Sequence, residues 1–305
     1  MFKKVLSSLF LAVLMLGLAV SNAKAAPIVM EGNYVYTQVS EDGTLGNGFN
    51  FPGIQYDPSG TASFPGSGGK DFLQPGDPFE GFYLKSNESG IIGNNNDWSV
   101  FIGTLTDLSG SGYDNFIRWE GSLGTYFDVA IETYFNDSDK FIKFSTTVTA
   151  LNDLTDVYFL RVIDPDQDTN DFGIFDTNNA RGFGSFSPED WVYAAGPISN
   201  WTIGLYSDSL VPHNTGVSFA WSGDPEFYYN GNNDGNGDYT IGLAFYLGDL
   251  SVGDSVTFDY YYVLGTSPAD AASNIPVASP IPEPSTVVLI GVGLGALGFY
   301  RSRRK

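Results

Sequence analysis

Apolar and polar residues alternate through most of the middle of this chain. In "TYFDVAIETYF", residues 125–135, Phe127, Val129, Ile131 and Phe135 fall on one face and Asp128, Glu132 and Tyr134 on the other, the period of two that marks a half-buried strand. Residues 141–150 repeat it, with Ile142, Phe144, Val148 and Ala150 on the inner face and Lys143, Ser145, Thr147 and Thr149 on the outer. The intervening "NDSD", 136–139, predicts a hairpin connection. "DVYFLRVID", 156–164, is apolar on both faces, as a central strand between packed layers must be. Shorter runs recur at 98–105, 201–206, 239–247 and 255–264, separated by Gly, Asn, Asp and Pro. No stretch of the body carries a 3.6-residue apolar period of useful length. The pattern predicts an all-β fold, a large antiparallel two-sheet β-sandwich over residues 26–265 with its polar chemistry in the loops.

The two ends break the alternation. Lys3 and Lys4 precede an apolar run from Val5 to Val20, followed by Ala23-Lys24-Ala25. A basic start, an apolar centre and an A-x-A exit predict a signal peptide over 1–25, cut after Ala25; the alternative is a retained N-terminal anchor. At the other end, Thr286 to Tyr300 is a run of 15 uncharged, mostly apolar residues, about 22 Å as a helix. A bilayer crossing usually takes ~20 residues, so this is a minimal transmembrane helix that borrows length from its flanks. Arg301, Arg303, Arg304 and Lys305 would stay cytoplasmic. Segment 266–281, rich in Pro, Ala and Ser, predicts a flexible linker.

Ahead of the apolar run stand Pro282, Glu283, Pro284 and Ser285. This ordered set, a PEP sequence, a short glycine-rich span and a basic terminus over 282–305, resembles the PEP-CTERM sorting signal, the tail recognised by exosortases in Gram-negative bacteria that make exopolysaccharide. The resemblance implies cleavage near Pro282 to Ser285 by an inner-membrane exosortase. The tail would then be a transient anchor, and the body would reach the cell surface or the extracellular matrix. A plain, uncut C-terminal anchor is the alternative.

Charge sharpens the picture. Seven of the 14 Lys and Arg residues lie in the two ends, while all 35 acidic residues lie between 26 and 300, so the body is strongly acidic. Nucleic acid and anionic membrane surfaces need a positive footprint and are excluded as partners. Cations and uncharged polymers such as glycans remain compatible. The chain has no cysteine, so an exported body draws its stability from its core or from bound metal.

Two loops carry candidate metal chemistry. In "DPDQDTND", Asp164, Asp166 and Asp168 alternate, a spacing that offers oxygen ligands for calcium at every second position. The glycine and distal glutamate of an EF-hand are missing, since 169 is Thr and 175 is Phe. The competing reading is structural: the carboxylates cap turns, and one of them pairs Arg161, a lone charge on an apolar strand. In "YNGNNDGNGDY", Asp234, Asn236 and Asp238 alternate in the same way, and a glycine-rich hairpin loop competes with the metal reading. "GNNNDW", 93–98, reads as a turn. The cofactor these loops would take is Ca2+.

Catalysis has no comparable signal. Cysteine is absent and the single histidine, His213, sits in "LVPHNTG", a loop-like setting, so nothing in the sequence nominates a triad around it. Trp98, Trp191, Trp201 and Trp221 lie near Gly, Asn or Asp and would serve either as sugar platforms or as packing. The segments 52–84, 157–168 and 242–265 are similar to exported bacterial β-sandwich proteins and adhesin-associated modules of unassigned activity. The expected function is a non-enzymatic, exosortase-processed surface or matrix protein, associated with exopolysaccharide or with surface proteins and stabilised by calcium. The alternative is a carbohydrate-binding module or a glycan-active enzyme of the envelope.

Overall fold

A computed structural model describes residues 26–46, 52–64, 70–74, 77–96 and 99–276. Among them the strands, in chain order, are β1 (Ile28–Glu31), β2 (Val35–Val39), β3 (Gln55–Tyr56), β4 (Glu80–Ser86), β5 (Gly90–Asn95), β6 (Thr104–Asp107), β7 (Asn115–Leu123) and β8 (Phe127–Phe135). There follow β9 (Phe141–Ala150), β10 (Leu154–Ile163), β11 (Asn178–Arg181), β12 (Trp191–Ala195), β13 (Thr202–Tyr206), β14 (His213–Ser218), β15 (Thr240–Leu250) and β16 (Ser255–Gly265). Three helices of four to six residues interrupt them, α1 (Thr169–Phe172), α2 (Pro225–Tyr229) and α3 (Pro268–Ser273).

The strands form an eight-stranded sheet ordered β11-β12-β13-β16-β9-β8-β7-β6 and a five-stranded sheet ordered β14-β15-β10-β4-β5, every ladder antiparallel. A small β1-β2-β3 sheet joins them. The protein is therefore an all-β sandwich. Rings from both large sheets meet in its core: Phe159 of β10 lies 6.2 Å from Phe82 of β4, 5.0 Å from Phe258 of β16 and 6.0 Å from Tyr260. Burial of this apolar surface is the main driving term for such a fold.

The alternation reads out as expected in β8 and β9. Phe127, Val129, Ile131 and Phe135 are buried, as are Ile142, Phe144, Val148 and Ala150, and the hairpin at 136–139 is tied by the Asn136 N–H donating to Asp139 Oδ2 at 2.7 Å. β10 is central in its sheet and buried on both sides. Phe159 and Ile163 join the inter-sheet core, while Leu160 and Val162 face a second cluster with Phe79, Tyr83, Tyr228 and Ala244. Tyr228 belongs to α2, which covers that outer face.

Three expectations are corrected. "GNNNDW" is not simply a turn: residues 93–95 complete β5, where the buried Asn94 donates to the carbonyls of Asp42 and Phe101 and accepts from the N–H groups of Val100 and Phe101. Those bonds hold 99–103 as irregular chain, so only 104 and 105 of the expected 98–105 strand are extended in a ladder. The stalk beginning at 266 starts instead as ordered structure. Ser267 caps α3 by accepting from the Asp270 N–H at 3.2 Å, and Ala271 is wholly buried. A Cβ on Gly265 would lie 2.3 Å from Ala271 N, so glycine is what allows the helix to lie against the end of β16. The compact unit closes at Asn274. No helix among the described residues is long and apolar enough to cross a membrane; the signal peptide at 1–25 and the span at 286–300 fall outside them.

Candidate functional site

β10 and β15 run side by side with Ile163 opposite Ile241. Continuing that register three residues past the last ladder pair sets Asp166 opposite Asp238. The chain stays extended there because the Asp164 N–H donates to the Phe79 carbonyl at 2.7 Å and the Asp166 N–H to the Phe72 carbonyl at 2.9 Å. Asp164 and Asp166 share the parity of Leu160 and Val162 along the strand, the face that α2 covers. Carboxylate oxygens of Asp164, Asp166 and Asp238 lie within 4.8 Å of one another. Asp164 and Asp166 are 1% exposed and Asp238 closes the group from the more open side.

The electrostatics are one-sided. Burial pushes the Asp164 carboxyl well above the usual range, and the charges of Asp166, Asp238 and Asp77 push it further. Burial, Asp238 and Asp77 bring Asp166 up to about 8, against a weak opposing bond from Thr169. Asp238 is raised by burial and by Asp176 and Asp77. Among the described residues, the charged groups bearing on these three are thus other carboxylates. Asp164 Oδ2 and Asp238 Oδ1 have no hydrogen-bond donor among the described residues, an uncommon condition for buried oxygens. Such a group can hold protons at neutral pH or bind a hard cation.

The two sequence loops each contribute to this group, but not as local D-x-D-x-D wraps. Asp168 is carried away by the start of α1, and its Oδ2 accepts from the N–H groups of Ile198 at 2.8 Å and Ser199 at 3.1 Å. Asp234 Oδ2 accepts from the Phe219 N–H at 2.9 Å, and Asn236 Oδ1 from the Asn179 N–H at 2.9 Å. Asp168 and Asp234 thus hold turns, and Asn236 holds the start of β11.

Arg161 pairs none of the loop acids. Its odd position on β10 points it between the sheets, where it forms a fully buried ion pair with Glu80 of β4 and lies over Phe144, 4.7 Å from the ring centroid. Glu80 also accepts from the Leu45 N–H at 2.6 Å and the Tyr262 hydroxyl at 2.9 Å. Nothing local in the sequence marks Glu80 as Arg161's partner 81 positions away. Nor does anything local mark Asp71, a buried carboxylate accepting from the N–H groups of Gly53, Ile54, Leu73 and Gln74 at 2.7 to 3.0 Å.

His213 opens β14 rather than lying in a loop. Its Nε2 lies 3.2 Å from Asp190 Oδ1 and its Nδ1 2.8 Å from the Val211 carbonyl. Trp191 is fully buried, Trp201 packs on Tyr56 and Phe72, and Trp221 packs on Phe79 while its Nε1 donates to the Asp238 carbonyl at 3.0 Å. These three tryptophans are packing elements; Trp98 falls outside the described residues. An open groove of about 380 Å³ crosses the outer face of β7, β8 and β9, lined among others by Arg118, Glu120, Asp128, Val129 and Thr147.

The body is similar in fold to part of a larger protein. A bacterial glucoamylase solved with acarbose superposes with TM-score 0.50 and 10% identity over 83% of this chain and 34% of the other. An α-mannosidase from Enterococcus faecalis V583 gives 0.46, 12%, 83% and 32%, and a putative aldose 1-epimerase from Escherichia coli K12 gives 0.38, 10%, 79% and 99%. The chain spans about a third of the glucoamylase's length, and at such identity the likeness is one of fold alone. No curated protein matches the chain by sequence. Residues 280–305, containing Pro282, Glu283, Pro284, Ser285 and the arginines at 301, 303 and 304, match the PEP-CTERM protein-sorting motif, so the chain carries the signal of an exported, exosortase-processed protein.

Proposed function

We propose that this is a non-enzymatic protein of the cell surface or extracellular matrix, released there after exosortase processing and retained among exopolysaccharide. The observation that carries the reading is the sorting motif at 280–305, joined to an antiparallel sandwich. What supports a scaffolding role is that side chains with a reactive look are committed to structure. Asp168, Asp234 and Asn236 hold backbone N–H groups, and both ring nitrogens of His213 are engaged. The acidic body suits a hydrated polymer matrix better than a polyanion.

The test is to delete the exosortase in the source bacterium and fractionate. The expected result is a tail-bearing protein retained in the inner membrane, whereas the wild-type strain yields a shortened body co-extracted with exopolysaccharide. Unchanged size and release, or a body found only in the periplasm, would overturn the reading. A second reading, a glycan-binding module, is favoured by the open groove beside Arg118 and Asp128. Saturable calorimetric heat with the host's exopolysaccharide, lost in Arg118→Ala with Asp128→Ala, would establish it; no heat would remove it.

A further inference from the structure

The geometry points to a hard divalent cation of the calcium type, held by Asp164, Asp166 and Asp238 at the end of the β10–β15 ladder. The inference goes beyond the sorting and scaffolding role and stands independently of it. Calcium binds oxygens at 2.3 to 2.6 Å, so oxygens on opposite sides of one ion lie at most about 5 Å apart, and the 4.8 Å limit on the three carboxylates fits within that span. The second observation is Asp164 itself: it is 1% exposed and its Oδ2 has no hydrogen-bond donor among the described residues. Burying a carboxylate oxygen this way is costly unless something positive meets it.

No positive group among the described residues does so. The groups acting on the three are Asp77 and Asp176, which deepen the negative potential. The donors are all oxygen, the chain has no cysteine, and its one histidine is bonded to Asp190, so the set selects a hard ion over zinc or copper. An ion there would tie the exit of β10 to the entry of β15, two points more than 70 residues apart in sequence, and so fix the long β14–β15 connection that contains α2. The competing account is that protons alone neutralise the group, as the raised acids Asp164 and Asp166 permit.

The full chain, purified in detergent, separates the two. With calcium chloride at 100-fold over its Kd, the melting temperature should rise by about 5 to 10 °C relative to chelator, and calorimetry should give one saturable site. Asp166→Asn and Asp238→Asn should abolish that rise. In chelator Asp166→Asn should melt at or above wild type, because it relieves repulsion; a loss of fold in chelator would contradict this. Asp168→Asn should melt lower in both conditions yet keep the calcium rise. Equal wild-type melting in calcium and chelator, a full calcium rise in Asp166→Asn, or loss of the rise in Asp168→Asn would each overturn the site.

Discussion

Removing one partner of the Glu80–Arg161 pair tests how the two large sheets are held together. Both side chains are 0% exposed, and contacts of the pair cross the sandwich: Glu80 and Arg161 belong to the five-stranded sheet, and the Tyr262 and Phe144 they touch to the eight-stranded one. Breaking a buried pair from one side typically costs about 3 to 5 kcal/mol, because the other charge is left without compensation. For a body of this size that corresponds to a fall in melting temperature of roughly 6 to 20 °C. The two single variants differ in their pH dependence. In Arg161→Met the remaining charge is Glu80, whose carboxyl burial already pushes upward even with Arg161, the Leu45 N–H and Tyr262 drawing it down. Without Arg161 it is raised further. A group raised in the folded state favours folding at low pH and loses that contribution as pH rises, so the penalty in Arg161→Met should shrink between pH 7 and pH 5. In Glu80→Gln the stranded charge is a guanidinium, which does not titrate there, so the penalty should not shrink toward pH 5. Urea unfolding of both variants at the two pH values measures this. Penalties below about 1 kcal/mol, or an identical pH response, would refute the buried pair as described.

In chelator, burial and neighbouring carboxylates push Asp166 up to about 8 in the folded state, so the contribution of this group to stability should be present at low pH and lost as pH rises through 8; denaturation at pH 5 and 8.5 reads it, and calcium should remove the fall. Asp71→Ala leaves four backbone N–H groups near 53–54 and 73–74 without their acceptor, at about 1 to 3 kcal/mol for each left unsatisfied, and hydrogen exchange should show those segments opening first. Ser267→Ala should cost about 1 kcal/mol through the lost cap of α3, and a chain ending at Gly265 should melt lower than one ending at Pro276.

Much of the fold is written locally. A period of two over 127–135 and 141–150 needs only neighbouring residues to be read, and the two-faced apolar run of β10 announces its central place. The acid site is half legible. Alternate spacing picks out Asp164, Asp166 and Asp238 yet attributes them to two separate loops, because their grouping depends on which strands pair and in what register. A reader who aligned the apolar stretches 156–163 and 241–248 as an antiparallel ladder would have found Asp166 facing Asp238. Arg161 shows the opposite limit. Its need for a carboxylate is evident, but Glu80 is reached only through strand pairing between β4 and β10. The short helices escape periodicity for a different reason: at four to six residues, caps such as Ser267 and Asp224 define them rather than an apolar stripe.

The position of β16 bears on how the protein crosses a membrane. It is the last strand made, yet it lies inside the eight-stranded sheet, between β13 and β9. Until residues 255–265 have emerged, the sheet exists as two unjoined halves, β11-β12-β13 and β9-β8-β7-β6, and the Tyr262 bond to Glu80, across 182 residues, cannot form. Contacts this distant close slowly. Closing the core only when this strand has emerged keeps the chain unfolded for longer, which suits the export that the sorting motif indicates.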